Sequence, residues 1–173
     1  MNRSVAGVLG CVLWLGMAAA PAPADAALTV RFSPHGGAEA LLIESLAAAR
    51  SQVLVQAYSF TSMPIAQALK AGHDRGLDVR VILDRSQETQ RHSELAFLLE
   101  AGVPVWVDAA HAIAHNKVMV IDGDTVLTGS FNFTRAAESA NAENLLRIRD
   151  SSLAAAYRQN WEAHLAHSRR IQP

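Results

Sequence analysis

The chain has 173 residues and a formal net charge of −1 at pH 7, with 15 basic side chains set against 16 acidic ones. That balance excludes holding a polyanion by bulk positive charge, so any such contact has to come from a local patch. Half of the residues are hydrophobic, and the single cysteine, Cys11, lies near the start, which excludes an intrachain disulfide framework.

Residues 1–26 read as a secretory signal peptide. Arg3 supplies a short positive segment, Val5 to Ala20 an apolar run, and Ala24-Asp25-Ala26 a small-x-small site with cleavage expected after Ala26. The apolar run falls short of the ~20 residues that span a bilayer, so no stable membrane anchor is expected after cleavage. Loss of Arg3 and Asp25 leaves the net charge at −1. Residues 27–173 suffice for one domain with a sizeable core.

Leu28 to Phe32 alternates as a strand, and Gly36-Gly37 precedes a helix expected over Ala38 to Arg50. Val53 to Tyr58 is a strand, followed by a helix from about Met63 to Arg75 with Pro64 suited to its first turn. Val79 to Leu83 is a strand, Arg91 to Glu100 a helix ended by Gly102, and Val103 to Val107 a further strand. Lys117 to Ile121 and Thr125 to Thr128 form a hairpin around Asp122-Gly123-Asp124. Ser151 or Ser152 is expected to cap a last helix, in which Leu153, Tyr157, Trp161 and Leu165 make a core-facing stripe. Strands alternating with helices of this length predict βαβ crossovers, hence an α/β fold: an α/β/α sandwich on a mixed, largely parallel sheet.

The hairpin carries the chemistry. His115 to Asn132 contains His-x-Lys-x4-Asp-x6-Gly-Ser-x-Asn. Side chains alternate along a strand, so His115 and Lys117 project from one face, and a hairpin in register brings Ser130 and Asn132 to the same end of the sheet. A neutral imidazole can attack phosphorus and form a phosphohistidine. Lys117 offers a positive charge to the non-bridging phosphate oxygens, and Ser130 and Asn132 are short donors to the same atoms. Asp122 lies ~15 Å along the strand from His115 at about 3.3 Å per residue, so it is expected to be structural, holding the turn or pairing with an arginine. Arg85, Arg91, Arg135, Arg147, Arg149, Arg169 and Arg170 are candidates for a local cationic patch.

His111 and His115 stand four apart and imitate a metal pair on a helix. Strand character after His115 and the lack of a cysteine or acidic third ligand nearby argue against metal ligation, and no metal or other cofactor is expected. His35, His73, His92, His164 and His167 read as ordinary polar residues.

This spacing, with Gly129 and Asp122 as its structural members, resembles the HKD signature of the phospholipase D superfamily. Phe32-Ser33-Pro34 and Ala57-Tyr58-Ser59-Phe60-Thr61 extend the resemblance to the small secreted single-motif endonucleases of that superfamily. It implies the same α/β/α fold over residues 27–173. It also implies that Glu143 accepts a hydrogen bond from one imidazole nitrogen and leaves the other free to attack. Family members with two motifs in one chain supply two histidines, whereas this chain has one His-x-Lys. One histidine cannot readily serve as both nucleophile and acid in one step, so a homodimer sharing its active site at the interface is expected, as the resemblance also implies. The expected function is metal-independent phosphodiester hydrolysis by a nonspecific periplasmic or secreted endonuclease whose partner is nucleic acid, DNA or RNA. A phospholipase D acting on membrane phospholipid and a non-catalytic nucleic-acid-binding protein are the alternatives.

Overall fold

The computed structural model describes residues 27–172; the expected signal peptide and Cys11 lie outside the described residues. The elements follow in order as β1 (Leu28–Ser33), α1 (Ala38–Ala48), β2 (Gln52–Ala57), α2 (Met63–Asp74), β3 (Asp78–Asp84), α3 (Leu95–Glu100), β4 (Val105–Asp108), β5 (Lys117–Ile121), β6 (Thr125–Gly129), α4 (Arg135–Ser139), β7 (Glu143–Arg149), α5 (Ser151–His167) and β8 (Arg169–Arg170).

All described strands join one sheet in the order β1-β7-β6-β5-β2-β3-β4-β8. The α/β/α layering matches expectation. Helices α1 and α2, with the shorter α3, pack Leu42, Leu46, Ile65, Leu69 and Leu98 onto one face of the sheet. Among the described helices α5 alone lies on the other face, where its stripe meets Leu54, Ile82, Val118, Val120 and Val126. Trp161 is fully buried there and donates its indole N–H to the Val55 carbonyl at 2.8 Å, so this large side chain leaves no unpaired donor.

The sheet is mixed, but its parallel share is smaller than expected. Among the described residues only β2-β3 and β3-β4 pair in parallel, while the other five neighbouring pairs are antiparallel. The connection from β1 through α1 to β2 does not make neighbours. Instead β1 pairs with β7 at the sheet edge, from Leu28 opposite Ile148 to Ser33 opposite Glu143. Two further departures are local. The helix expected from Arg91 starts at Leu95, because a 3-10 turn over Arg85–Glu88, capped by Asp84, comes first and the Glu94 N–H bonds to the Phe60 carbonyl. The cap of α5 is Asp150, whose carboxylate accepts from the Ser152 and Leu153 amides at 2.8 and 3.0 Å.

The β5–β6 turn places Asp122 and Gly123 at φ of 52° and 73°, with the Asp124 amide returning to the Ile121 carbonyl, a type I′ geometry that matches the strand twist. Asp122 faces the link between α1 and β2. Its carboxylate accepts from the Ser51, Gln52 and Arg50 amides at 2.8, 3.1 and 2.9 Å and from the Ser51 hydroxyl at 2.8 Å, with the Arg50 guanidinium 3.7 Å away. Burial opposes its charge, but these hydrogen bonds outweigh burial and hold its pKa below the ordinary 3.8. A depressed folded pKa contributes stability above the unfolded value that is lost as pH falls through the folded one. Replacement Asp122→Ala is therefore expected to cost roughly 2–3 kcal/mol in urea unfolding at pH 7. The gap from the wild type should shrink below about pH 4; a gap of the same size at pH 3 would contradict this account.

Candidate active site

Two anchors bracket His115. Just before it, the Ala114 amide donates to the buried Asp84 carboxylate at 2.8 Å. Just after it, the Asn116 carbonyl accepts from the Tyr58 amide at 2.8 Å. The backbone on either side is thus tied to the ends of β3 and β2, while the imidazole itself is exposed. The Tyr58 ring lies 4.6 Å from the imidazole, centroid to centroid, and supports one of its edges.

Lys117 opens β5 opposite Ala57 of β2 and is buried. Its ammonium lies 3.0 Å from His115 Nδ1, donates to the His115 carbonyl at 2.8 Å, and sits 5.3 Å from the Tyr58 ring centroid. Burial pushes the Lys117 pKa below its ordinary value, and the negative charge of Glu143 works the other way. The pair is pre-assembled: a cation held against one ring nitrogen leaves Nε2 as the nitrogen turned from it.

The remaining motif residues arrive from β6 and β7. The register runs Val118 opposite Thr128 and Gly129 opposite Leu145, which brings the end of β6 and the start of β7 to the Lys117 end of the sheet. Ser130 is exposed, and its hydroxyl accepts from the Asn144 amide and side chain at 3.0 and 3.3 Å. Gly129 has to lack a side chain, because a Cβ there would run into the Asn144 carbonyl oxygen. Asn132 is half-buried, and its Oδ1 atom is enclosed with no hydrogen-bond partner among the described residues. Glu143 accepts from the Asn141 side chain at 3.2 Å. Among the described residues no hydrogen bond joins it to His115. The expected orienting contact is not made in this conformation, and Lys117 occupies Nδ1 in its place. Asp122, at the opposite end of β5, takes no part.

The expected arginines do not form one patch. Arg147 pairs with Glu44 at 3.2 Å and, with Arg149 and Asp122, lines a cleft at the far end of the hairpin. Arg169 pairs with Glu88, and Arg170 lies over Trp106. Arg85, which donates to the Ala112 carbonyl three residues before His115, belongs to the active-site end, while Arg91 and Arg135 line a separate cleft beside α2. Tyr58, Asp84 and Asn144 were not singled out in the sequence. The Ala57-to-Thr61 stretch pointed to Tyr58, whereas nothing local marks the other two, since they act across 30 and 14 residues.

A family model described as "Cardiolipin synthase, PLD-like domain" matches residues 42–165. The chain belongs to the phospholipase D superfamily and resembles its small single-motif endonucleases. A protein named "Phospholipase D" from Rickettsia typhi is 42% identical over 130 residues, covering 75% of this chain and 64% of that protein. A "Mitochondrial cardiolipin hydrolase" from Xenopus laevis is 38% identical over 122 residues, covering 70% of this chain and 58% of that one. The chain thus spans less than two thirds of these relatives. Among solved structures, Nuc from Salmonella typhimurium, a phospholipase D family member, superposes with a TM-score of 0.81 at 36% identity, covering 84% of this chain and 98% of its own. The phospholipase D superfamily is the class that fold and site define.

The Lys117–Glu143 balance has a measurable sign. Glu143→Gln removes the group that raises the Lys117 pKa, so Lys117 loses its proton at lower pH. The alkaline limb of the pH–rate profile for hydrolysis of a simple aryl phosphodiester is expected to move to lower pH in this variant. A limb that stays in place would mean that Glu143 does not govern Lys117.

Proposed function

We propose that the protein is a metal-independent endonuclease that cuts DNA or RNA through a phosphohistidine on His115, in a homodimer that shares its active site at the interface. The observation that carries the reading is the exposed His115 imidazole with a buried lysine held 3.0 Å from its Nδ1. Nε2 of His115 attacks phosphorus; the N–P bond forms as the bond to the leaving oxygen breaks. The partner's His115, protonated, gives its proton to that oxygen. It then takes a proton from the water that displaces His115, and two inversions leave the configuration at phosphorus retained. As phosphate enters, Lys117 turns from Nδ1 to a non-bridging oxygen, and Nδ1 is released to carry a proton and donate it to Glu143. Asn132, after a half-turn of its amide, donates to the same phosphate alongside Ser130. These protein groups supply the charge and alignment that a metal supplies in other phosphodiesterases.

The shared site is supported by an uncovered stretch of the sheet. Leu28, Val30 and Phe32 of β1 are exposed, 60%, 42% and 60% respectively. They stand opposite the half-buried Ile148, Leu146 and Asn144. Among the described residues α5 packs mainly on β4, β2, β5 and β6 rather than on this stripe. The stripe ends at Phe32, beside the Asn144 that holds Ser130, so a copy docked there comes close to the phosphate donors. A periplasmic or secreted location is supported by the signal-like residues 1–26. No described helix is long and apolar enough to cross a membrane.

An open rim with exposed His115 and Ser130 suits a backbone phosphate of a polymer lying across it. The second reading, a phospholipid phosphodiesterase, is favoured by the names of the sequence relatives and by Ile113, 55% exposed two residues before His115, an apolar tip fit to touch a bilayer.

Plasmid cleavage in EDTA by the purified protein, with His115→Ala beside it, tests the reading. Cleavage is expected for the wild type, with loss of about 10³-fold or more in the variant. Raising salt from about 50 to 200 mM should weaken substrate binding by orders of magnitude. Intact plasmid together with hydrolysed cardiolipin vesicles would favour the phospholipid reading instead.

A further inference from the structure

A second cluster of reactive side chains lies on the edge of the sheet away from β1, where the motif residues do not reach. Asp108 ends β4 and is fully buried. His111 comes from the loop that leads on to His115, and His164 and His167 from the last turn of α5. Three imidazole nitrogens converge on one oxygen: His164 Nδ1 lies 2.7 Å from Asp108 Oδ2, His111 Nδ1 3.1 Å and His167 Nε2 3.2 Å. One ligand atom from each of the four residues lies within 4.8 Å of all the others.

The geometry points to a binding site for one Zn²⁺ ion held by Asp108, His111, His164 and His167, which ties the loop before His115 to the end of α5. Zinc takes four ligands at about 2.0–2.2 Å, so ligand atoms in its shell stand about 3.4 Å apart along the edges of a tetrahedron. The His111 and His167 distances of 3.1 and 3.2 Å lie close to that edge, and the His164 distance of 2.7 Å is shorter. Separations within the set reach up to 4.8 Å, so the rings rotate to even out the spacing as the ion enters. A three-nitrogen, one-oxygen donor set suits zinc, and hard cations such as Mg²⁺ and Ca²⁺ prefer oxygen alone. The carboxylate is already oriented, since Asp108 Oδ1 accepts from the Ala110 amide at 3.0 Å. His111 and His167 are 46% and 37% exposed, against 14% for His164 and 0% for Asp108. One side of the cluster is therefore open for entry while its floor is sealed. Helical spacing explains how α5 contributes: His164 and His167 are three apart and face the same way.

The ion's effect would be mechanical. His111 lies four residues before His115, and the loop between them is also held by the Ala114–Asp84 and Arg85–Ala112 hydrogen bonds. A metal crosslink from this loop to α5 removes freedom from the backbone that carries the nucleophile without touching the reacting atoms.

Titration of ZnCl₂ into chelator-treated, dialysed full-length protein is expected to show one equivalent bound. Melting temperature should rise by roughly 5–10 °C at a free zinc concentration about 100 times Kd. Co²⁺ should give the visible absorption of a tetrahedral site, and Mg²⁺ should give neither effect. His164→Ala and the more exposed His111→Ala, each checked for native near-UV circular dichroism, are expected to bind zinc at least about tenfold more weakly. Wild-type protein that takes up no stoichiometric zinc would overturn the assignment and leave the cluster as a hydrogen-bond network. Unchanged affinity in both variants would overturn it too, by putting the ion elsewhere.

Discussion

The register of β5 between β2 and β6 is the constraint on which the rest depends. With Lys117 opposite Ala57 and Val118 opposite Thr128, Met119 and Ile121 enter the core beneath α1 and α2, and Val118 and Val120 enter the core beneath α5. A slip of one residue would exchange those two sets and turn Lys117 to the wrong side of the sheet. Both ends of the strand are therefore fastened by contacts outside the ladder. Asp122 grips the backbone after α1 at one end, and the Tyr58 and Asp84 hydrogen bonds hold the chain around His115 at the other. The spacing from histidine to aspartate is, in this molecule, about the length of one strand, with His115 just before one end and the Asp122 turn at the other.

Burying Lys117 costs solvation, and its lowered pKa records that cost. The site tolerates it because the ammonium has the His115 carbonyl, the His115 ring nitrogen, the Tyr58 face and the Glu143 charge around it. A lysine so placed is held at the site in advance, and on the proposed reading it has only to turn from Nδ1 to a phosphate oxygen. Asn132 shows the complementary situation, an enclosed polar atom with no hydrogen-bond partner among the described residues.

Much of this was legible in the sequence because it is local. Strand and helix periods located β1 to β6 and α5, and the histidine-to-asparagine spacing marked the hairpin and its polar residues. What escaped was set by contacts between distant segments. The sheet is mixed as expected but with fewer parallel neighbours, because β1 pairs with β7 and β5 with β2 in antiparallel fashion, and no pattern within a strand specifies its partner. Asp84 and Asn144 look like ordinary polar residues until the chain folds them against Ala114 and Ser130. Along the sequence His111 has only Asp108 of its cluster near it. Its histidine companions lie on α5, more than 50 residues further along. The orienting role expected of Glu143 was a reading of chemistry; this conformation has Lys117 in its place, a matter of side-chain rotation that spacing does not encode.

The two borders of the sheet differ in kind. On one side β8 is two residues long, both arginines, and both exposed; short and charged, it offers poor footing for another strand. On the other side β1 runs for six residues with a single charged side chain, Arg31, and its outer backbone groups face no strand among the described residues. A sheet that is receptive along only one border can join a copy of itself about a two-fold axis, and the union then has no receptive border left. Two receptive borders would have allowed each copy to recruit the next without end. Among the described residues, the sheet is thus suited to accept a strand along one border and discourages one along the other.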